Sequence, residues 1–260
     1  MTVRELNELL DKRFPPALSC DWDNDGLQVS TDPGAVVTGV LVALDLSDAA
    51  IDRAAKTGCN VVLTHHPLIF RPLTSVTPDC GVGRRVGRLL SLGISAISCH
   101  TRADAAEGGI NDDLASRMGL ANVTQFADGI PRIGDLPRPM PVSEAVSFVL
   151  GATGMPKAMY SGNPPKTVSR VAICGGDGKD FLFAAAEAGA DLYFTGELGY
   201  HARLDASDLD LLVTEVGHDM SEMHAPDVFR AFLAAAVPDL RVVEGPRPVT
   251  SGFSGGRLDI

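Results

Sequence analysis

Several things are scarce in this sequence, and each scarcity excludes a class of protein. Its five cysteines (Cys20, Cys59, Cys80, Cys99, Cys174) are odd in number and contain no CxxC pair. A zinc ribbon is therefore excluded and a disulfide framework is disfavoured, which makes a reducing cytoplasm the expected setting. No uninterrupted apolar run approaches the roughly 20 residues needed to cross a bilayer, so no membrane partner is expected. Basic charge is also short, with 22 Lys and Arg against 33 Asp and Glu and a net charge of −11. Sequence-independent binding to nucleic acid needs a basic footprint, so that balance argues against it. The opening MTVRELNELLDKRF carries charge throughout and reads as an amphipathic helix rather than a signal peptide. What the sequence does have is apolar material: 45% of 260 residues, enough for one large α/β domain or two smaller ones.

The clearest pattern runs from Val36 to Pro67. GVLVAL (39–44) is a continuous apolar run, as expected of a strand covered on both faces. LSDAAIDRAAKTG follows as a helix with Ser47 as N-cap and Gly58 as its stop. NVVLT (60–64) is a second buried strand, so the three elements form a β-α-β unit with parallel strands. RVGRLLSLG (85–93) reads as a helix, ISAIS (94–98) as a strand, INDDLASRMG (110–119) as a helix, and Ser143 to Leu150 as another. The Pro- and Gly-rich GIPRIGDLPRPMP (129–141) is expected to mark a change of domain.

An internal echo adds to this. Shifted by 131 positions, AAKTGCNVVLT (54–64) falls on AAEAGADLYFT (185–195). With an offset of 118, His100-Thr-Arg-Ala-Asp104 falls on His218-Asp-Met-Ser-Glu222, and both copies follow an apolar strand. Two echoes in the same order favour a duplication, with too few copies for a solenoid. The expected fold class is α/β, built as two related, interlocked α/β domains of duplicated β-α-β halves with the site between them. The first domain is expected over 1–125 plus 223–260 and the second over 126–222.

The chemistry-bearing residues cluster just past the ends of the expected parallel strands, where open α/β sheets place ligands. His65-His66 follows NVVLT, His100 and Asp104 follow ISAIS, Glu197 follows DLYF, and His218 follows LLVTEV. In a strand, neighbours such as His65 and His66 point to opposite faces, so they converge only if the chain turns at Pro67; otherwise they are hydrogen-bonded loop histidines. His218 and Glu222 share a helical face if GHDMSE opens a helix that continues through VFRAFLAAA. His100 reads either as a proton shuttle beside a metal or as a satisfied buried histidine. Glu197 reads as a general base, as an orienting carboxylate, or as a turn residue. Asn24 and Asp25, near Trp22, either line the cavity or form a turn. GGDGKD (175–180) resembles a phosphate-cradling loop but lacks the spacing of a P-loop. His201 and His224 read as surface or supporting residues. Histidines and carboxylates without a thiolate are the ligand chemistry of Mn, Fe, Co or Zn in hydrolytic sites, and five such ligands suit two ions.

The blocks DWDNDGLQVS (21–30), VVLTHHPLIF (61–70), SCHTRADAAEGGINDDLA (98–115), DLYFTGELGYHA (191–202) and VGHDMSE (216–222) resemble the NIF-three-like family, also known as type-two GTP cyclohydrolase I homologues. The resemblance implies a dinuclear centre of two divalent ions held by His65, His66, Asp104, His218 and Glu222. It further implies a toroidal homohexamer built from dimers. The chain is similar to the family's short form and departs from its pattern at Asp25, where an apolar or small residue is usual, and at Arg102-Ala103, where substrate contacts would change. The function so implied is metal-dependent hydrolysis of a small molecule, by GTP ring opening or cleavage of another cyclic C–N or phosphoester bond. The alternative is a non-catalytic metal-handling protein or a transcription-linked interaction scaffold.

Overall fold

The computed structural model describes residues 1–247, and it separates into two compact units. Among the described residues the first comprises Met1–Gly109 together with residues 223–247, and the second begins at Ile110 and ends at Glu222. The first break thus precedes the expected 125/126 boundary. The reason is hydrogen bonding: the strand over Ala121–Gln125 pairs in the sheet of the second unit. The remaining residues expected in the first domain, 248–260, lie outside the described residues.

The first unit opens with α1 (Val3–Arg13), held at its start by a reciprocal cap. Glu5 N–H donates to Thr2 Oγ1 and Thr2 N–H donates to Glu5 Oε2. Leu6, Leu10 and Phe14, spaced four apart, are fully buried. There follow β1 (Gly26–Val29), β2 (Val40–Ala43), α2 (Asp48–Thr57), β3 (Val61–Thr64), α3 (Gly81–Leu92), β4 (Ser95–Ser98) and α4 (Thr101–Ala105). Ser47 caps α2 through its hydroxyl, and Gly58 ends it in the left-handed conformation, as the sequence suggested.

The second unit contains α5 (Ile110–Arg117), β5 (Ala121–Gln125), β6 (Arg132–Pro141), α6 (Val142–Thr153), β7 (Met159–Gly162) and β8 (Thr167–Asp177). It continues with α7 (Leu182–Glu187), β9 (Leu192–Glu197), α8 (Tyr200–Ala206), β10 (Leu212–Glu215) and α9 (His218–Glu222). The chain then returns to the first unit as α10 (Ala225–Ala236) and β11 (Val242–Glu244). There Phe229 of α10 meets Phe14 edge to face at 5.7 Å. Among the described residues no helix is long and apolar enough to cross a membrane.

The sheet orders are β1-β4-β3-β2-β11 and β5-β6-β8-β9-β10-β7. In each, three central strands run parallel, β2-β3-β4 and β8-β9-β10, and an antiparallel strand, β1 or β7, flanks the third. Val40 pairs with Val61 and Val171 with Leu192, which are the same positions moved by 131 (40 + 131 = 171; 61 + 131 = 192). The third strands follow an offset of 117, since Thr64 pairs with Ser98 and Thr195 with Glu215 (98 + 117 = 215). The histidines beyond them follow 118, so the second copy spends one extra residue, on the Val216-Gly217 approach to His218.

Two expectations need correction. The segment 129–141 is not a break between domains: Arg132–Pro141 is β6, paired antiparallel with β5 and β8. Its prolines are accommodated by a register shift between Asp135 and Met140, which leaves Pro137 and Pro139 outside the ladder, where their missing N–H groups cost nothing. The helix begun by GHDMSE also does not run on. It ends at Glu222, and α10 starts at Ala225 with Pro226 in its first turn. Proline is suited to a first turn and disfavours a helical residue before it, so the helix restarts there.

Candidate metal centre

In the first unit, backbone bonds from His65 N–H to Ala43 O and from His66 N–H to Leu44 O carry the pairing of β2 and β3 past the end of the strand. Thr64 Oγ1 donates to His66 O across the turn that leads to Pro67. The turn overrides strand alternation: the two imidazoles lie 4.9 Å apart at 44° instead of on opposite faces. His100, immediately before α4, brings a third ring to 5.1 Å from His65 and 5.7 Å from His66. One ring nitrogen from each of these three residues lies within 4.8 Å of the others. Asp104, buried on α4, places Oδ2 at 3.7 Å from His65 Nε2.

The Nδ1 atoms show why the rings point as they do. His65 Nδ1 meets Cys99 O at 3.1 Å, His66 Nδ1 meets Asp45 Oδ1 at 2.9 Å, and His100 Nδ1 meets Asp23 Oδ1 at 2.8 Å. A carbonyl or an ionised carboxylate can only accept, so each Nδ1 carries the proton and each Nε2 keeps its lone pair. That is the arrangement by which outer carboxylates and carbonyls orient metal-binding imidazoles. Asp23 is suited to the task. Burial works against its ionised form, but bonds from His100, Thr101 Oγ1 and Thr101 N–H overcome that and hold it at about 2. Burial pushes the Cys99 thiol up to about 12, so it stays protonated and offers no thiolate.

In the second unit, His218 and Glu222 lie one turn apart on α9, with His218 Nε2 3.4 Å from Glu222 Oε2. Glu197, at the end of β9, accepts from His218 Nδ1 at 2.9 Å, so this histidine follows the same rule as the other three. A shelf of glycines at the strand ends makes room for the pair. A Cβ at Gly176 would stand 2.5 Å from Glu222 Oε1 and 3.2 Å from His218 Nε2, and Gly176 has φ +67° besides. A Cβ at Gly196 would meet Ser221 Oγ at 2.7 Å and His218 Cα at 2.8 Å. Ser221 Oγ accepts from Gly176 N–H and donates to His218 O, while buried Asn111 accepts from Gly175 N–H.

The structure therefore gathers His65, His66, His100 and Asp104 in the first unit, and Glu197, His218 and Glu222 in the second. Of residues 175–180, Gly175 and Gly176 belong to β8 and face Glu222. His224 is buried, whereas His201 is exposed. Asn24 donates to Ile69 O, while Asp25 turns inward. Asp23 and Asp45 were not picked out from the sequence, although Asp45 follows a parallel strand just as the ligand candidates do.

Asp25 and Arg102, the two departures from the family pattern, are partners. Arg102 Nε lies 3.1 Å from Asp25 Oδ2, and the arginine also pairs with Asp11 and donates to Phe14 O and Ser98 O. Arg102 is almost wholly buried, so it braces the fold.

The sequence profile described as Duf34/NIF3 (NGG1p interacting factor 3) matches residues 1–246. A Clostridium perfringens protein called GTP cyclohydrolase 1 type 2 homolog is 31% identical over 229 residues, covering 85% of this chain and 87% of its own length. Protein NIF3 homolog of Schizosaccharomyces pombe is 29% identical over 235 residues, covering 84% of each chain. A Staphylococcus aureus protein of known crystal structure superposes with a TM-score of 0.87 at 24% identity, covering 98% of this chain and 99% of its own, and so shares the fold.

Proposed function

This chain belongs to the Duf34/NIF3 family, and from that premise we propose that His65, His66, Asp104, His218 and Glu222 hold two divalent metal ions that serve hydrolysis of a small molecule. One observation carries the reading. In the three histidines of this set, His65, His66 and His218, Nδ1 is tied to an oxygen acceptor, which makes Nε2 the ligand atom. The donor set of imidazoles and carboxylates without a thiolate suits Zn, Mn, Fe or Co.

Ions bound there would polarise an electrophilic carbon or phosphorus and lower the pKa of water toward neutrality. The protein's own part follows from its geometry. Asp45 and Glu197 orient His66 and His218. His100, whose Nδ1–H is held by Asp23 so that Nε2 is the basic nitrogen, takes the proton of the attacking water, and the Asp23 carboxylate stabilises the imidazolium that results. The names of relatives such as the Clostridium protein point to GTP ring opening as the first substrate to assay. Five scattered cysteines without a CxxC pair support a reducing, cytoplasmic setting, and by resemblance the assembly is a toroidal homohexamer built from dimers, which light scattering tests directly.

Elemental analysis of untagged protein should find close to two ions per chain. His65→Ala or Glu222→Ala should strip metal while the protein stays folded. A folded wild-type chain that takes up no Mn, Fe, Co or Zn would refute the centre. Metal-loaded protein that turns over neither GTP nor any phosphoester or cyclic amide would instead favour the non-catalytic metal-binding reading.

A further inference from the structure

Next to the three histidines of the first unit stand two large aromatic side chains that contribute little to the core. Trp22 is 62% exposed and Phe70 is 40% exposed, although burial of such rings is ordinarily favourable by several kcal/mol. Their centroids lie 5.9 Å apart, and each is 6.1 Å from the ring of His100. The three rings thus form a triangle the size of a single planar group, too small for the face of a helix or a sheet. Beyond His100 the ring cluster continues directly into His66 and His65.

This exposure is built rather than incidental. The loop bearing Trp22 is tied to the loop bearing Phe70 through three amide bonds. Asn24 and Gln28 side chains both donate to Ile69 O, and Ile69 N–H donates back to Gln28 Oε1. On the other side Asp23, adjacent to Trp22 in sequence, is fixed by His100 and Thr101. Two exposed aromatics held by their neighbours on both sides are pre-organised, so a ligand need not provide the entropy of ordering them.

We propose that Trp22 and Phe70 form a ring-stacking subsite that takes a planar heteroaromatic group and presents its edge to His100 and His66. The inference rests on the metal-centre reading for the identity of the neighbouring group, but the stacking itself does not require catalysis. A flat heterocycle stacks on the exposed face of one ring and meets the other edge-on, the two arrangements aromatic pairs prefer. The His100 ring, 6.1 Å from both aromatics, bounds the edge of the stacked group and so limits its orientation.

Trp22 is the chain's single tryptophan, so its fluorescence reports the subsite without background from other indoles. Metal-loaded wild-type protein is titrated with guanosine, adenosine, a pteridine and a pyridine carboxamide, with ribose as the non-aromatic control. Saturable quenching by at least one heterocycle and none by ribose is expected. Phe70→Leu should weaken that binding about tenfold, the scale of one aromatic stack, while Phe70→Tyr restores it and metal content is unchanged in both. No saturable quenching by any heterocycle, or quenching indifferent to Phe70→Leu, overturns the subsite. Quenching that follows Phe70 in a protein without hydrolytic activity would retain the subsite and remove the hydrolase reading. Loss of metal by the wild type with quenching intact would remove the metal centre alone.

Discussion

Replacing Arg102 with leucine should reveal how strongly the two departures from the family pattern depend on each other. The guanidinium is about 1% exposed and makes two ion pairs, to Asp25 at 3.1 Å and to Asp11 at 2.6 Å, plus bonds to two buried carbonyls. Breaking a buried pair by removing one partner costs about 3–5 kcal/mol. Asp25→Ala leaves Arg102 its bond to Asp11, so that variant belongs at the low end, about 3 kcal/mol. Arg102→Leu leaves the buried Asp25 carboxylate without its guanidinium, about 4 kcal/mol at neutral pH. In the double variant neither charge is stranded, so its cost should fall short of the sum by about 2 kcal/mol or more. The losses convert to melting shifts of about 6–16 °C for a chain of this size. Urea unfolding followed by Trp22 emission measures the cycle, because Trp22 lies in the same unit as the pair.

The pH dependence has a definite sign. Burial raises Asp25 above the ordinary carboxylate range, with Arg102 opposing it. A raised carboxyl is more easily protonated in the folded chain, so folded stability declines as pH rises through its titration. Removing Arg102 takes away the opposing charge, and the Arg102→Leu deficit should therefore be smaller near pH 5 than at pH 7.5. Additivity of the two single substitutions within about 0.5 kcal/mol, or a deficit that grows on acidification, would refute the assignment.

Other tests follow from single contacts. Asp45→Ala frees His66 Nδ1 from its carboxylate at 2.9 Å and should weaken metal binding about 10- to 100-fold with little change in melting temperature, read by competition with a chelator. Gly176→Ala puts a side chain at φ +67° and 2.5 Å from Glu222 Oε1, so it should lose both metal and at least about 1 kcal/mol of stability; unchanged metal content would contradict the glycine shelf. Asp48, held at about 2 by Arg84 and Arg88, stabilises the fold above pH 3.8, and this contribution is lost as pH falls through 2. Because that carboxylate is about one-third exposed, Asp48→Asn should cost no more than about 1 kcal/mol, and less in high salt.

How much of this could be read from the sequence depended on the range of each interaction. The parallel strands around Val40, Val61 and Ser95, the Ser47 cap and the Gly58 stop are local, because apolar period and capping chemistry act within a few residues. The 131-residue echo carried further than composition suggested, since both copies use identical pairing registers. The prolines of β6 misled, because a bulge that excuses missing donors is visible only once the partner strand is known. The break after Glu222 was equally hidden, although Pro226 marked the restart.

By itself the sequence determined which side chains could ligate metal and where along each strand they fall, because histidine, carboxylate and turn residues declare their chemistry locally. Only the tertiary structure decided what orients them. Asp23 is 77 residues from His100, Asp45 is 21 residues from His66, and Asp25 is 77 residues from Arg102. Partners so far apart meet because the sheet brings distant strand ends to one edge, and no period or motif in the chain records which carboxylate will face which ring.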